Sequence, residues 1–447
     1  MVPGYQGPAV EVVNPLSGEA RKIGLLPDDT LDEKALWEFL GAADYLEVAT
    51  IYDQGGYENH VTQAVSKYRY VMHPGVRVGR ALALINDSDP HGAPGSSKWM
   101  GLPASFVIPK NKAVSAAFVA NSRNYNIAPC FLDLSGNIGA NGLTVAQSYA
   151  FGNDLVSIRD VFLPMTGFVG GFGVAPPGGG ASSLFADGKV SEYQHGNGSG
   201  FNGGTLGGKR EGGRNAPHEI GGLIICASML TTERQRLRRV TAHLEKHFGL
   251  KPQVKNELVL DGDSITYGFG CACNYNYPRQ MLPLLSRDFR VRNTGYFGQI
   301  TAARLADLVG FLPHSLTSKL NDNIFVEWSG TNDIASGVPL GTMQANMQAI
   351  IGLARLSGMK AVAVTCLPRQ QFQEDAGMER QRAAWNEWIL AGGSGADLVA
   401  DVACDPVMGD YGNTPAGAHY IDGIHPTSLG YAYIAPIIAR AINQLAP

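Results

Sequence analysis

From Asn256 onward, short apolar runs alternate with stretches of helical periodicity, and few folds accept that order. The runs Glu257–Asp261, Phe289–Asn293, Asn323–Trp328, Ala361–Cys366 and Asp397–Val402 read as strands. Helices are expected near Tyr277–Ser286 and over Thr301–Phe311, Thr342–Ser357, Met378–Leu390 and Ser428–Leu445. Five strands alternating with helices predict a parallel, doubly wound sheet in a three-layer α/β domain. Ligands of such a sheet bind outside the carboxyl ends of its strands.

The first half of the chain has a different grammar. To about residue 225, short alternating runs such as Tyr45–Tyr52, Ser105–Ile108 and Ala116–Ala120 are broken by Gly, Asn, Asp and Pro, a pattern that predicts an antiparallel sandwich. One helix is expected inside it, Leu31–Leu40, with Thr30 as N-cap and Asp32 and Glu33 in the first turn. A second, Thr231–Phe248 with Thr232 as cap, repeats Leu237, Val240, Leu244 and Phe248 at helical spacing. Its basic residues, Arg234, Arg236, Arg239 and Lys246, are interleaved with acids and read as a solvated face. Gly198-x-Gly200-x-x-Gly203 has the spacing of a dinucleotide fingerprint, and Gly203 to Lys209 that of a phosphate loop. The first opens no helix and the second has Arg210 where Ser or Thr is needed, so both read as turns and loop. At 447 residues the chain exceeds one core, which predicts two domains, 1–250 and 256–447.

A formal net charge of -4 gives no electrostatic reason to expect a nucleic-acid partner or attraction to anionic lipid. No apolar stretch approaches membrane-spanning length, so no membrane insertion is expected. The start of the chain lacks the pattern of a signal peptide, although a signal removed before residue 1 would leave no trace; an extracellular or virion-associated setting is favoured. Six scattered cysteines are too few for a disulfide framework; Cys271 and Cys273 suit neither a redox CxxC nor a zinc knuckle, and a bridge from their loop stays open. No metal-ligand cluster and no cofactor motif is evident.

The chemistry gathers on one edge of the α/β sheet. Ser264 follows the first strand, Gly298 the second, Asn332 the third, and Asp422 with His425 the fifth. A serine hydroxyl needs an adjacent base, for which His425 is the candidate, and Asp422 three residues earlier can curl back to its Nδ1. Backbone N–H groups of Ser264 and Gly298 and the side-chain amide of Asn332 are candidate donors to an oxyanion. Tyr267, Phe297 and Trp328 border this edge as pocket candidates, with core packing an equal reading for Trp328. Asp263 and Asp333 are expected to hold loops or cap helices.

These blocks resemble the SGNH (GDSL-like) hydrolase family over roughly the last 190 residues. Gly262-Asp263-Ser264-Ile265 looks like the first block, Val291 to Gly298 the second, Gly330-Thr331-Asn332-Asp333 the third and Asp422-Gly423-Ile424-His425-Pro426 the last. The resemblance implies a serine esterase with a catalytic triad and an oxyanion hole. The stretch Val48 to His60, including Tyr52-Asp53-Gln54-Gly55-Gly56-Tyr57-Glu58-Asn59-His60, resembles concanavalin-like sandwich domains related to arabinofuranosidase B, as does Gly4 to Val10. That resemblance implies the fold and a glycan-binding role, not glycosidase activity. Together they point to a carbohydrate O-acetyl esterase acting on an acylated small molecule or polysaccharide. A lipase or acyl-thioesterase of the same chemistry is the alternative; another class is a glycan-binding structural or viral tail component with an auxiliary hydrolase.

Overall fold

The computed structural model describes residues 5–28, 30–85, 256–271, 276–315 and 322–447, and, between 99 and 250, chiefly strands and one helix. The chain divides into two compact units, the second holding Gln253–Pro447.

Strand pairing in the first unit is antiparallel throughout the described residues. Pro8–Val13 lies between Ala20–Gly24 and Leu46–Ile51. Val114–Ser122 lies between Phe168–Val174 and His218–Cys226. Val10 and Val12 are buried while Glu11 between them is not, the period of two that gives a strand one inward face. Their core partners include Ile23, Leu46, Val48, Tyr70, Met72 and Phe118. The helix Glu33–Leu40 joins this core through Leu36, Phe39 and Leu40. Its cap is Asp32, not Thr30: the Asp32 carboxylate accepts from the Ala35 N–H at 3.0 Å, whereas Thr30 Oγ1 donates to Asp28. The helix begins at Glu33, so only Asp32 stands where a side chain reaches the unpaired N–H groups of the first turn. The second helix spans Arg234–Phe248; Thr232 lies outside the described residues. Gly203 falls within the strand Phe201–Leu206, paired with Met100–Ile108, and opens no helix.

In the second unit, strands β1 (Glu257–Gly262), β2 (Arg290–Asn293), β3 (Ile324–Trp328), β4 (Lys360–Val364) and β5 (Leu398–Ala400) form one parallel sheet in the order β2-β1-β3-β4-β5. Every residue of β1 and β3 is buried, which is why those runs are apolar without alternation except at Glu257, Asp261 and Glu327, each of which has a partner. The helices are α1 (Ser264–Tyr267), α2 (Tyr277–Met281), α3 (Thr301–Ser315), α4 (Thr331–Ala335), α5 (Leu340–Leu356), α6 (Gln370–Glu374), α7 (Ala376–Leu390) and α8 (Ser428–Leu445). The helix expected to reach Ser286 gives way at Leu282–Leu284 to a tighter turn containing Pro283. The short helices α1, α4 and α6 are too brief to show a period and escaped the sequence reading. The strand order reverses direction at β1 and β3, so the loops leaving those two strands flank the crevice where such sheets take ligands.

Candidate active site

The position of Ser264 begins with Gly262. Its φ of +148°, and the backbone carbonyl of Trp328 that any Cβ would strike, allow only glycine where β1 leaves the sheet. Asp263 then caps α1, accepting from the Ile265 N–H at 2.9 Å, and Ser264 becomes the first helical residue. The turn is held from three sides. Tyr431 donates to the Ile265 carbonyl at 2.7 Å, Asn293 to the Thr266 carbonyl at 2.8 Å, and left-handed Gly268 closes the helix. Ser264 is 5% exposed.

Asp422 and His425 arrive on a turn of their own. One carboxylate oxygen of Asp422 accepts from the backbone of Ile424 and His425 at 3.1 and 2.9 Å. The other lies 2.7 Å from His425 Nδ1. Gly423, at φ +82°, makes so tight a turn possible. His425 Nε2 lies 2.8 Å from Ser264 Oγ. With Nδ1–H donated to the carboxylate, Nε2 is left to accept the serine proton. Partial burial opposes the Asp422 charge, but hydrogen bonds from His425 and Ile424 outweigh it and hold the carboxyl at about 2. It is therefore ionised throughout the range in which an imidazole acts as a base.

Gly298 and Asn332 stand on the neighbouring loops. Gly298 is exposed at φ +69°, and its N–H donates to no group among the described residues. Gly295, the other glycine of that block, is buried against Tyr267 and donates its N–H to Asn293 at 3.0 Å, so it has no N–H to offer a ligand. Asn332 spends one amide hydrogen on the Gln299 carbonyl at 3.1 Å, which ties the two loops together and leaves its second hydrogen. Asp333 accepts from the Thr301 N–H and hydroxyl at 3.0 and 2.6 Å, fixing the start of α3. Asp263 and Asp333 thus both hold loops or cap helices, as their positions in the sequence imply.

Of the three pocket candidates, Tyr267 and Phe297 meet edge to face at 4.8 Å. For Trp328 the structure favours core packing, one of the two readings its position allowed: at 3% exposure, its ring lies on Tyr277 beneath the site. The sequence reading missed Phe269, whose ring lies 4.6 Å from that of His425, and Tyr296, stacked on Phe297. The alternation Tyr267-Gly268-Phe269-Gly270 directly after the serine was the available signal.

A second layer of charge lies under Ser264. Asp261 pairs with Arg304 of α3, and Glu327, its neighbour across β1 and β3, hydrogen bonds Ser329. Burial and the adjacent Asp261 raise the Glu327 pKa well above its ordinary range. Burial also lifts Asp263, against the opposing Ile265 N–H, to about 6. Among the described residues, no three His, Cys, Asp or Glu side chains are grouped to hold a metal ion. Cys271 Sγ lies 3.1 Å from Ser428 Oγ; Cys273 falls outside the described residues. No described helix is long and apolar enough to cross a membrane.

No curated protein matches the chain. Among solved structures, a member of the lipolytic protein G-D-S-L family from Veillonella parvula is 16% identical, covering 41% of this chain and 96% of its own, with a TM-score of 0.36. A GDSL-like lipase from Bacteroides thetaiotaomicron is 20% identical, covering 42% of this chain and 89% of its own, with a TM-score of 0.34. An arabinofuranosidase complexed with arabinofuranosyl-alpha-1,2-xylobiose is 12% identical over 54% of this chain and 59% of its own, with a TM-score of 0.42. Residues 262–433 match the model of the GDSL-like Lipase/Acylhydrolase family, the stretch that carries Ser264, Asn332, Asp422 and His425. The second unit therefore contains a GDSL-like lipase/acylhydrolase domain, and the enzyme is an SGNH-type serine hydrolase.

Proposed function

We propose that the protein is a carbohydrate O-acetyl esterase working through an acyl-enzyme. The observation that carries the reaction type is the continuous contact Asp422–His425–Ser264, at 2.7 and 2.8 Å. Ser264 Oγ attacks the ester carbonyl carbon as its proton passes to His425 Nε2. The Ser264 and Gly298 N–H groups and the free hydrogen of Asn332 receive the developing oxyanion. Collapse breaks the bond to the alkoxy oxygen, which takes the proton from His425 and leaves as the alcohol. His425 then draws a proton from water, whose oxygen attacks the acyl-serine; acetate departs and the serine regains its hydrogen. Asp422 stays ionised and orients the ring.

The carbohydrate part of the reading rests on the first unit and is associative. We assign residues 1–250 to a concanavalin-like, glycan-binding accessory domain and 256–447 to the catalytic domain. The stretch Val48 to His60 supports this: the Asp53 carboxylate accepts from the N–H groups of Gly55, Tyr57 and Asn59, and the resulting loop presents Tyr57 at 80% exposure. An exposed ring of that kind suits stacking on a sugar face.

Acetate release from acetylated xylan, measured beside hydrolysis of p-nitrophenyl esters of increasing chain length, tests the reading. Fastest turnover on acetyl groups is expected. A preference for long acyl chains would instead support the lipase or thioesterase reading, toward which the aromatic group Tyr267, Phe269 and Phe297 beside His425 also points.

A further inference from the structure

Arg369 is a charged side chain at this sheet edge for which the proposed mechanism has no use. It follows β4 after the buried run Thr365 to Pro368 and stands immediately before α6. Its segment is fastened to the Asp422 turn. The Gln370 N–H donates to the Gly423 carbonyl at 3.0 Å, and a Cβ on Gly423 would touch the Gln370 side chain. Arg369 is therefore held beside the His425 turn by the backbone.

What distinguishes it is the lack of a counter-ion. Other arginines buried in this unit have carboxylates: Arg292 has Glu257, Arg304 has Asp261, Arg382 has Glu379. Arg369 makes no ion pair among the described residues, its Nε is buried without a hydrogen-bond partner, and its guanidinium lies over the ring of Phe372 at 5.6 Å. Asp263 and Asp422 are near enough to feel its charge, yet neither forms an ion pair with it: one Asp263 oxygen accepts from Ile265, and both Asp422 oxygens are taken by His425 and Ile424. A half-buried guanidinium left without an anion is costly to keep, and its planar fork fits a carboxylate in two-point contact.

We propose that Arg369 binds a carboxylate on the substrate, so that the preferred acetyl ester is carried by an acidic sugar such as a uronic acid. The inference rests on the carbohydrate O-acetyl esterase reading. It adds the class of sugar and a residue that selects it.

The test uses full-length protein and two substrates differing only in charge, an O-acetylated methyl galacturonoside with its carboxylate free and the same compound as its methyl ester, with acetate release as readout. Wild type is expected to favour the free acid about ten-fold or more in kcat/KM, mainly through KM, the size of effect a charge-assisted hydrogen bond gives. Arg369→Gln should bring the two rates within about two-fold of each other, with Arg369→Lys between. Equal losses on both substrates in Arg369→Gln would make Arg369 a positioning residue for Asp422 and overturn the inference. An unchanged ratio, or no preference in wild type, would overturn it too. Should neither sugar be turned over while p-nitrophenyl acetate is cleaved in a Ser264-dependent manner, the inference fails and the esterase survives; loss of all Ser264-dependent hydrolysis removes both.

Discussion

His425 Nε2 lies 2.8 Å from Ser264 Oγ, although 161 positions separate the two residues in the chain. Ser264→Ala and His425→Ala should each lower kcat on p-nitrophenyl acetate by roughly 10³-fold or more, and the double variant hardly further, because the two act as a unit. Labelling by a fluorophosphonate, located by peptide mass spectrometry, should fall on Ser264 alone. Substantial turnover by Ser264→Ala would end the acyl-enzyme mechanism.

Asn332, the proposed side-chain donor to the oxyanion, spends one amide hydrogen on the Gln299 carbonyl. Asn332→Ala should reduce kcat by about 10²-fold or more with little change in KM, since the contact forms only as charge develops on oxygen. A variant that changed KM alone would place Asn332 in substrate binding instead.

Asp263 gives a pH dependence of stability with a definite sign. Its carboxyl is raised from 3.8 to about 6 in the folded protein, so the folded state holds its proton more tightly than the unfolded one. This contribution is complete below 3.8 and is lost as pH rises through about 6. The difference corresponds to roughly 3 kcal/mol. Asp422, lowered to about 2, acts oppositely: it stabilises above 3.8 and loses that effect as pH falls toward about 2. Thermal unfolding of Asp263→Asn, which keeps an oxygen for the Ile265 N–H, should lack the decline between pH 4 and 6 that wild type shows. A decline of equal size in both proteins would refute the assignment.

Asp333 makes a structural prediction with a functional consequence. Asp333→Ala strands the Thr301 N–H and hydroxyl in a buried place and should cost about 2 kcal/mol or more by urea titration. Because Asn332 is adjacent and tied to Gln299, kcat should fall as well, by about ten-fold, in protein that is still folded at the assay temperature. Wild-type stability in this variant would show that the cap contributes nothing.

The strand–helix alternation was legible because fully buried strands need unbroken apolar runs and helices need a period, and both are local properties of the chain. Ser264, Asn332, Asp422 and His425 were legible because each follows a strand, or a turn beyond one, at the same sheet edge. The Asp261–Arg304 pair was not, since its partners come from a strand and a distant helix and neither announces the other. Nor was the seat of Trp328: the end of a strand is both the rim of a site and the top of a core, and only the ring contact with Tyr277 decides between them. The Thr30 cap failed for a smaller reason, because Thr30 and Asp32 both qualify and the start of the helix, not its composition, selects one.

The turn from Asp422 to His425 has a kinetic meaning. Asp422 and His425 are tied together within four residues and need nothing from the sheet to find each other. Assembly of the working site therefore reduces to a single docking event, a preformed pair meeting a serine already fixed on its strand. Catalytic competence should then appear late and in one step during refolding, after the strands have paired, and on gentle heating it should vanish before the sheet does.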